Sequence, residues 1–253
     1  MEYGLKQYIF VIRELTSREI KRKYSRSVLG ILWSVLQPLL FMFVMTAVFS
    51  GFTLNDISYP VYYLTGYTTW SMFSIATTTA MTAFEDNKLL FQKTKLPREV
   101  FVLSRDYTSL VNLGFSSIAL LLVLIFFKVQ IKWTVVVFFI DVIFELIFTI
   151  GISFLLATIY VFYKDIKFIW QNIIVMLVHM IAIFYPIERY PDSVREFTAH
   201  NPLFIYPDIA RKSIINGTCE VDQLMAMFMW AIGALLIGLI IFKLAENSII
   251  KKI

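Results

Sequence analysis

Cysteine, histidine and charge are all scarce in this 253-residue chain. A single Cys219 excludes an internal disulfide and a multi-cysteine metal site. Two histidines, His179 and His200, exclude a histidine-rich metal cage, so no metal is expected. Charged residues make up 16% of the chain and hydrophobic ones 58%, against about 25% and 45–50% in soluble domains. With a mean hydropathy of +0.73, this excludes an ordinary soluble enzyme. It also excludes disorder, which needs low hydrophobicity and high charge. None of the nine glycines builds G-x-x-x-x-G-K-[ST] or G-x-G-x-x-G. A phosphate-cradling loop needs such glycines so that backbone N–H groups can approach the phosphates. No nucleotide cofactor is therefore expected in this chain, and any active transport must draw on another polypeptide or an ion gradient.

What is present is lipid-facing. Hydrophobic runs predict six helical spans at about 29–51, 60–83, 101–127, 133–159, 168–187 and 223–246. Each is near the roughly 20 residues that cross about 30 Å of hydrocarbon. Helix is the form expected, because it satisfies its own backbone in lipid. The fold class is an all-α integral membrane protein forming one domain over 1–253. Residues 1–28 form an amphipathic interface helix, 29–246 the six-span bundle and 247–253 a tail. The first 27 residues are too long, polar and basic for a cleavable signal.

The net charge of +5 does not mark a nucleic-acid binder, because seven of the 23 basic residues precede Val28, beside a long apolar run. That suits a flank facing anionic lipid. With the N-terminus inside, 17 Lys and Arg fall on the inner side and 6 on the outer, so both termini are expected to be cytoplasmic.

Three segments outside the spans carry information. Leu5, Ile9, Ile12, Leu15 and Ile20 fall at near-helical spacing, with Arg18, Lys21 and Arg22 mainly elsewhere, which reads as a helix lying at the inner interface. The inner loop 85–100 sets Leu89, Leu90 and Phe91 among charges and is punctuated by Pro97. It reads as a short helix that docks on a cytoplasmic partner, or as an apolar trio dipping into lipid. The outer segment 188–223 is partly apolar and helix-like, and reads as short helices that re-enter or rest on the outer leaflet.

Within the spans, Tyr63, Tyr67, Trp70, Ser74 and Thr77 share one face of span 2, with Thr68, Thr69, Thr78, Thr79 and Thr82 adding hydroxyls. Lipid gains nothing from so many, whereas a conduit for sugar rings, or an interfacial aromatic belt, uses them. Asp141 and Glu145 lie at i and i+4 on span 4. Intramembrane acids are functional candidates by default. Asp141 is near the outer end, within expected reach of Lys128 or Lys132. Glu145 lies roughly 18 Å along the helix from Trp133. His179 in span 5 is expected to be buried and hydrogen-bonded. No nucleophile–base pair stands out, so no catalytic residue is assigned.

The first span opens with YSRSVLGILWSVLQPLL at 24–40, directly after the basic stretch that contains Arg22. Through Tyr24, Ser27, Leu29, Gly30, Trp33 and Pro38 it resembles the opening signature of permease subunits of polysaccharide-exporting ABC transporters. Asn87 to Glu99, YKDI at 163–166, Pro186-Ile187 and Asn201-Pro202 resemble further family elements in the same order. The resemblance implies that two copies of the chain enclose a conduit, with two copies of a separate ATPase beneath them binding ATP and Mg. It implies a coupling helix contributing Glu85, Asn87, Lys88, Leu90, Phe91, Pro97, Arg98 and Glu99. It further implies export of a lipid-linked cell-surface polysaccharide or teichoic-acid-like polymer across a bacterial cytoplasmic membrane. Export of a small drug or lipid by the same fold, an intramembrane enzyme and a proton-coupled carrier are the alternatives.

Overall fold

The computed structural model describes residues 4–49, 58–94 and 96–252, and among these every regular element is helical. In chain order they are α1 (Leu5–Tyr24), a 3-10 turn (Gly30–Leu32), α2 (Trp33–Phe49), α3 (Tyr59–Ala80), α4 (Ala83–Asp86), α5 (Lys88–Lys93), α6 (Glu99–Phe126), α7 (Val135–Phe162), α8 (Ile166–Met180), a 3-10 turn (Ile187–Arg189), α9 (Asp192–Ala199), α10 (Pro202–Arg211), a π-helical turn (Lys212–Asn216) and α11 (Val221–Lys252). Among the described residues four segments are long and apolar enough to cross a membrane: Gly30–Phe49, Glu99–Phe126, Val135–Phe162 and Val221–Lys252.

Helix α3 coincides with the second expected span but is not among those four, and its position explains why. It packs against α2, α6, α7, α8 and α10, and 17 of its 22 residues are buried. A helix surrounded by protein does not need a lipid-soluble face. Its threonines satisfy themselves: Thr65 donates to the Val61 carbonyl at 2.8 Å, Thr68 to Leu64 at 2.6 Å, Thr77 to Phe73 at 2.8 Å and Thr79 to Ile75 at 2.8 Å. These hydroxyls are bonded to the helix's own backbone.

The turn between α1 and α2 follows from its residues. Gly30 sits at φ +54°, a left-handed conformation that favours glycine. Its N–H donates to Ser27 Oγ at 3.1 Å, while the hydroxyls of Tyr24 and Ser34 bond one another. Pro38 lies inside α2, where it lacks the N–H that would bond the Ser34 carbonyl. Helix α1 packs on α6 through Leu15, Thr16 and Glu19, leaving Leu5 and Ile9 exposed.

Helices α7 and α11 make the longest contact in the bundle. A Cβ on Gly151 would stand 2.3 Å from the Ala234 carbonyl carbon, and one on Gly238 would stand 2.1 Å from the Gly151 oxygen. The two backbones touch only because both residues are glycine. Helix α11 continues to Lys252, so most of the segment expected as a tail is helical, with Ile249 buried.

Helix α8 differs most from expectation. It ends at Met180, seven residues before the predicted end of span 5, and its 15 residues cover only roughly 22 Å. Ile181, Ala182 and Ile183 then run buried through non-helical backbone, Ala182 at φ +54°. Buried irregular backbone requires partners, and tyrosines supply them. Tyr62 donates to the Ala182 carbonyl at 2.8 Å, Tyr59 donates to Phe184 at 2.9 Å, and the Ala182 N–H donates to Tyr190 at 3.0 Å. Helix α10 re-enters the bundle against α3, α7 and α11, with Phe204, Tyr206 and Ile209 buried, whereas most of α9 stays at the surface.

Candidate functional site

At one end of the bundle the N-terminal helix, the α4–α5 segment and the ends of α7 and α11 converge. Phe91 of α5, 2% exposed, enters an aromatic cluster with Phe84 at 5.6 Å and Phe101 at 5.8 Å between ring centroids. Phe84 in turn stacks on Phe242 at 6.2 Å. Arg98 donates to the Phe91 carbonyl at 2.9 Å and places its guanidinium 4.3 Å from the Phe91 ring centre. Asn87 donates to the Ala83 carbonyl at 2.8 Å and accepts from Arg18. The apolar trio expected to face a partner is therefore divided: Phe91 is an internal anchor, Leu90 is half-buried, and Leu89 is 70% exposed beside Lys88.

Charge ties this segment to its neighbours. Glu85 accepts from Tyr160 at 2.8 Å and pairs with Lys164. Burial pushes the Glu85 carboxyl up, but the bonds from Lys164 and Tyr160 and the charges of Lys164 and Lys167 prevail, holding it below the ordinary range. Glu99, in the first turn of α6, stands 3.5 Å from Lys243. Pro97, two residues before it, is half-buried.

A second cluster escaped the sequence. Arg105 of α6, 6% exposed, forms ion pairs with Glu19 of α1 at 2.8 Å and Asp86 of α4 at 2.8 Å. Thr108 donates to the other Glu19 oxygen at 3.2 Å, and Thr82 to Asp86 at 2.9 Å. Burial pushes the Glu19 carboxyl up, against the pull of Arg105 and Thr108. One guanidinium thus joins the N-terminal helix, the α4–α5 segment and a long apolar helix. The neighbouring Asp106, 1% exposed, accepts from Ser153 of α7 at 2.7 Å. The available signal was an Arg-Asp pair inside a predicted span.

The predicted face of α3 forms a ladder. Tyr59, Tyr63 and Tyr67 stack at 6.3 and 5.4 Å, and Phe41 of α2 continues the stack from Tyr67 at 6.4 Å. Tyr63, Trp70 and Thr77 are buried, Thr77 accepting from the Trp170 indole at 3.1 Å, while Tyr67 and Ser74 are half-buried. Polar groups adjoin this edge: a cavity of about 40 Å³ is lined by Lys23, Gln37, Tyr67, Ser71, Asn112 and Ser116 among others.

Asp141 and Glu145 are buried, and three of their four carboxylate oxygens lack a hydrogen-bond partner. The expected reach from Lys128 or Lys132 is not made, since Lys132 donates to the Asn216 carbonyl at 3.0 Å and neither lysine pairs with Asp141. His179 is exposed on the isolated chain rather than buried, its ring bonded to the Val175 carbonyl and 5.1 Å from Phe184. At the far end, Arg211 is buried over the Tyr62 ring at 3.8 Å and donates to the carbonyls of Tyr62 and Ile183. Among the described residues no three His, Cys, Asp or Glu converge as a metal site.

The ABC-2 type transporter profile matches residues 11–215, which hold most of α1, all of α2 to α10 and the whole Arg105 cluster. The chain belongs to the ABC-2 type transporter family. It is a multi-pass inner-membrane protein. It is 27% identical over 249 residues to the O-antigen export system permease protein RfbA of Klebsiella pneumoniae, covering 96% of this chain and 94% of that one. The RfbA of Myxococcus xanthus is 29% identical over 190 residues, covering 75% and 73%. The polysialic acid transport protein KpsM of Escherichia coli is 22% identical over 255 residues, covering 94% and 95%.

Proposed function

We propose that this chain is the membrane subunit of an ATP-driven exporter that moves a lipid-linked cell-surface polysaccharide or teichoic-acid-like polymer across the cytoplasmic membrane. The observation that carries this reading is the end-to-end match to relatives named for O-antigen and polysialic acid transport. The missing phosphate loop is in keeping with a separate ATPase subunit, two copies of which bind ATP and Mg beneath a dimer of this chain. In this reading α3 and α8, with its non-helical continuation, complete six spans. Helix α1 lies at the inner interface, and the end holding α1, α4–α5 and the close of α11 is cytoplasmic, following its excess of Lys and Arg.

The mechanism follows from the two clusters. ATP-driven movement of the ATPase pair reaches α5 through its outward Lys88 and Leu89. Phe91 and Arg98 pass it to the aromatic core, and Arg105 passes it to α1 and α6. The ladder edge at Tyr67 and Ser74, flanked by the exposed apolar faces of α2 and α8, faces the second copy and lines the conduit. Aromatic faces stack on the apolar C–H faces of sugar rings, and hydroxyls exchange hydrogen bonds with the sugar rim as the polymer slides.

Affinity purification of the tagged chain from its host, followed by mass spectrometry, tests the assembly. An ATPase in near-equal amount is expected, together with loss of surface polymer and its intracellular accumulation on deletion of the gene. Tyr67→Ala or Trp70→Ala is expected to lower export while leaving the complex assembled. A chain that purifies alone and acts without ATP would overturn the reading, as would unchanged surface polymer on deletion.

A further inference from the structure

Between the C-terminal turn of α1, the Gly30 turn and α6 lies an open groove of about 680 Å³, lined by Ile20, Tyr24, Leu29, Leu32, Phe115 and Ile118 among others. It is almost wholly apolar, and Leu29, Leu32 and Ile118 are exposed along it. At its α1 end it meets a second cavity, of about 590 Å³, that is polar and lined by Arg22, Lys23, Ser25, Arg26 and Ser27. Ser25 borders both cavities, and Lys21 stands on the rim of the first. No carboxylate lines either one. Among the described residues none of Lys21, Arg22, Lys23 and Arg26 is ion-paired, and Glu19, one turn earlier, is committed to Arg105. Four cations, of which Arg22 also lies near the Glu19 carboxylate, thus crown an apolar slot just before the first apolar span.

We infer that this composite site holds one anionic phospholipid, its phosphodiester headgroup among Lys21, Arg22, Lys23 and Arg26 and an acyl chain in the groove between α2 and α6. Charge complementarity selects the headgroup, since a basic cluster beside a membrane span draws anionic lipid. The groove's place selects a resident lipid over a transported one. On α6, Asn112 and Ser116 are buried towards α2 and α3, whereas Phe115 and Ile118 line the groove on the other side. The apolar slot therefore lies on a different side of α6 from the small cavity at the Tyr67 edge, which the basic cluster reaches only through Lys23, and it opens outward. The bound lipid fastens the Gly30 turn, and with it the junction of α1 and α2. This inference needs only that the chain lies in a bilayer and stands apart from the export reading.

The test is native mass spectrometry of the full-length chain in mild detergent, titrated separately with phosphatidylglycerol, phosphatidylcholine and undecaprenyl phosphate. Each basic residue at an anionic headgroup contributes roughly fivefold in affinity. Phosphatidylglycerol is therefore expected to bind at least about tenfold more tightly than phosphatidylcholine, and the K21Q/R22Q/K23Q/R26Q chain to lose at least about tenfold. I118W, which fills the groove and leaves the charges, is expected to lower phosphatidylglycerol binding too, and K6Q/K251Q, elsewhere on the same end, to leave it unchanged. Equal binding of the two phospholipids, or loss in K6Q/K251Q, would overturn the headgroup assignment. Full binding by I118W, or displacement of the lipid by inorganic phosphate, would overturn the groove. Tighter binding of undecaprenyl phosphate than of phosphatidylglycerol would assign the slot to the carrier and overturn the resident lipid.

Discussion

Replacing Arg105 with Met removes two 2.8 Å ion pairs and strands Glu19, whose side chain is 8% exposed. Breaking a buried ion pair by deleting one partner costs about 3–5 kcal/mol. An upper bound comes from protonation. A carboxyl with an ordinary pKa near 4.3 can take a proton at pH 7 for about 3.7 kcal/mol, so the penalty stops there. Arg18 and Arg22 remain nearby and lower it further, and the arm to Asp86, 37% exposed, adds at most about 1 kcal/mol. About 2–4 kcal/mol corresponds to roughly 4–8 °C of melting temperature in a chain of this length. The sign with pH follows. In the variant, burial raises the folded-state pKa of Glu19, so folding takes up a proton and the deficit grows with pH by about 1.4 kcal/mol per unit until that pKa is passed. Melting curves of the detergent-solubilised chain at pH 6, 7 and 8, read by fluorescence size-exclusion, check this. R105M should melt well below wild type and fall further behind from pH 6 to 8, while E19Q/R105M should recover most of the loss at every pH. A shift below about 2 °C, a deficit independent of pH, or a double variant no better than the single one would refute the reasoning.

Three further outcomes are expected. Because its partners hold the Glu85 carboxyl below its ordinary range, its tie to Lys164 is complete above the unfolded-state pKa and is lost only as pH falls through the lowered value. Recovery of the ATPase in pull-downs should thus stay constant from pH 5.5 to 8, E85K should reduce it, and E85K/K164E should restore it. Acid loss within that window would count against the assignment. Gly151→Leu should abolish a monodisperse chromatographic peak, because its side chain meets the Ala234 backbone, whereas Gly114→Leu, with open space around it, should elute as wild type. Tyr62→Phe leaves the buried Ala182 carbonyl without its donor and should lower stability by about 1–3 kcal/mol in the same melting assay. An unchanged melting temperature would show that the break after α8 is satisfied in some other way.

The helices, most of their ends and the sorting of basic residues were legible in the chain because each is a local or additive property. Apolar periodicity and length place α2, α6 and α7 within a few residues of expectation, and the start of α11 likewise, though α11 runs six residues past its expected end. Sequence distance likewise did not hide the division of charge. The predicted inner residues Lys164, Lys243 and Lys252 gather with α1 and α4–α5, while Lys132 and Arg211 lie at the opposite end. The missing phosphate loop is equally a property of the string alone.

What the chain could not disclose is which polar groups meet. Periodicity assigns a residue to a face but does not say what stands opposite. Tyr62 and Thr65 are near neighbours on α3, yet one hydroxyl holds a carbonyl 120 residues away and the other bonds its own helix four residues back. Leu89 and Phe91 belong to one apolar trio, and only the packing of Phe84, Phe101 and Phe242 sends Phe91 inward. Arg105 reads as one more inner-side cation until the fold brings Glu19 and Asp86 to the same guanidinium. Helix formation and membrane partition are decided over tens of consecutive residues. The satisfaction of a buried charge or carbonyl is decided by the few atoms within about 3 Å, and only tertiary structure brings those together.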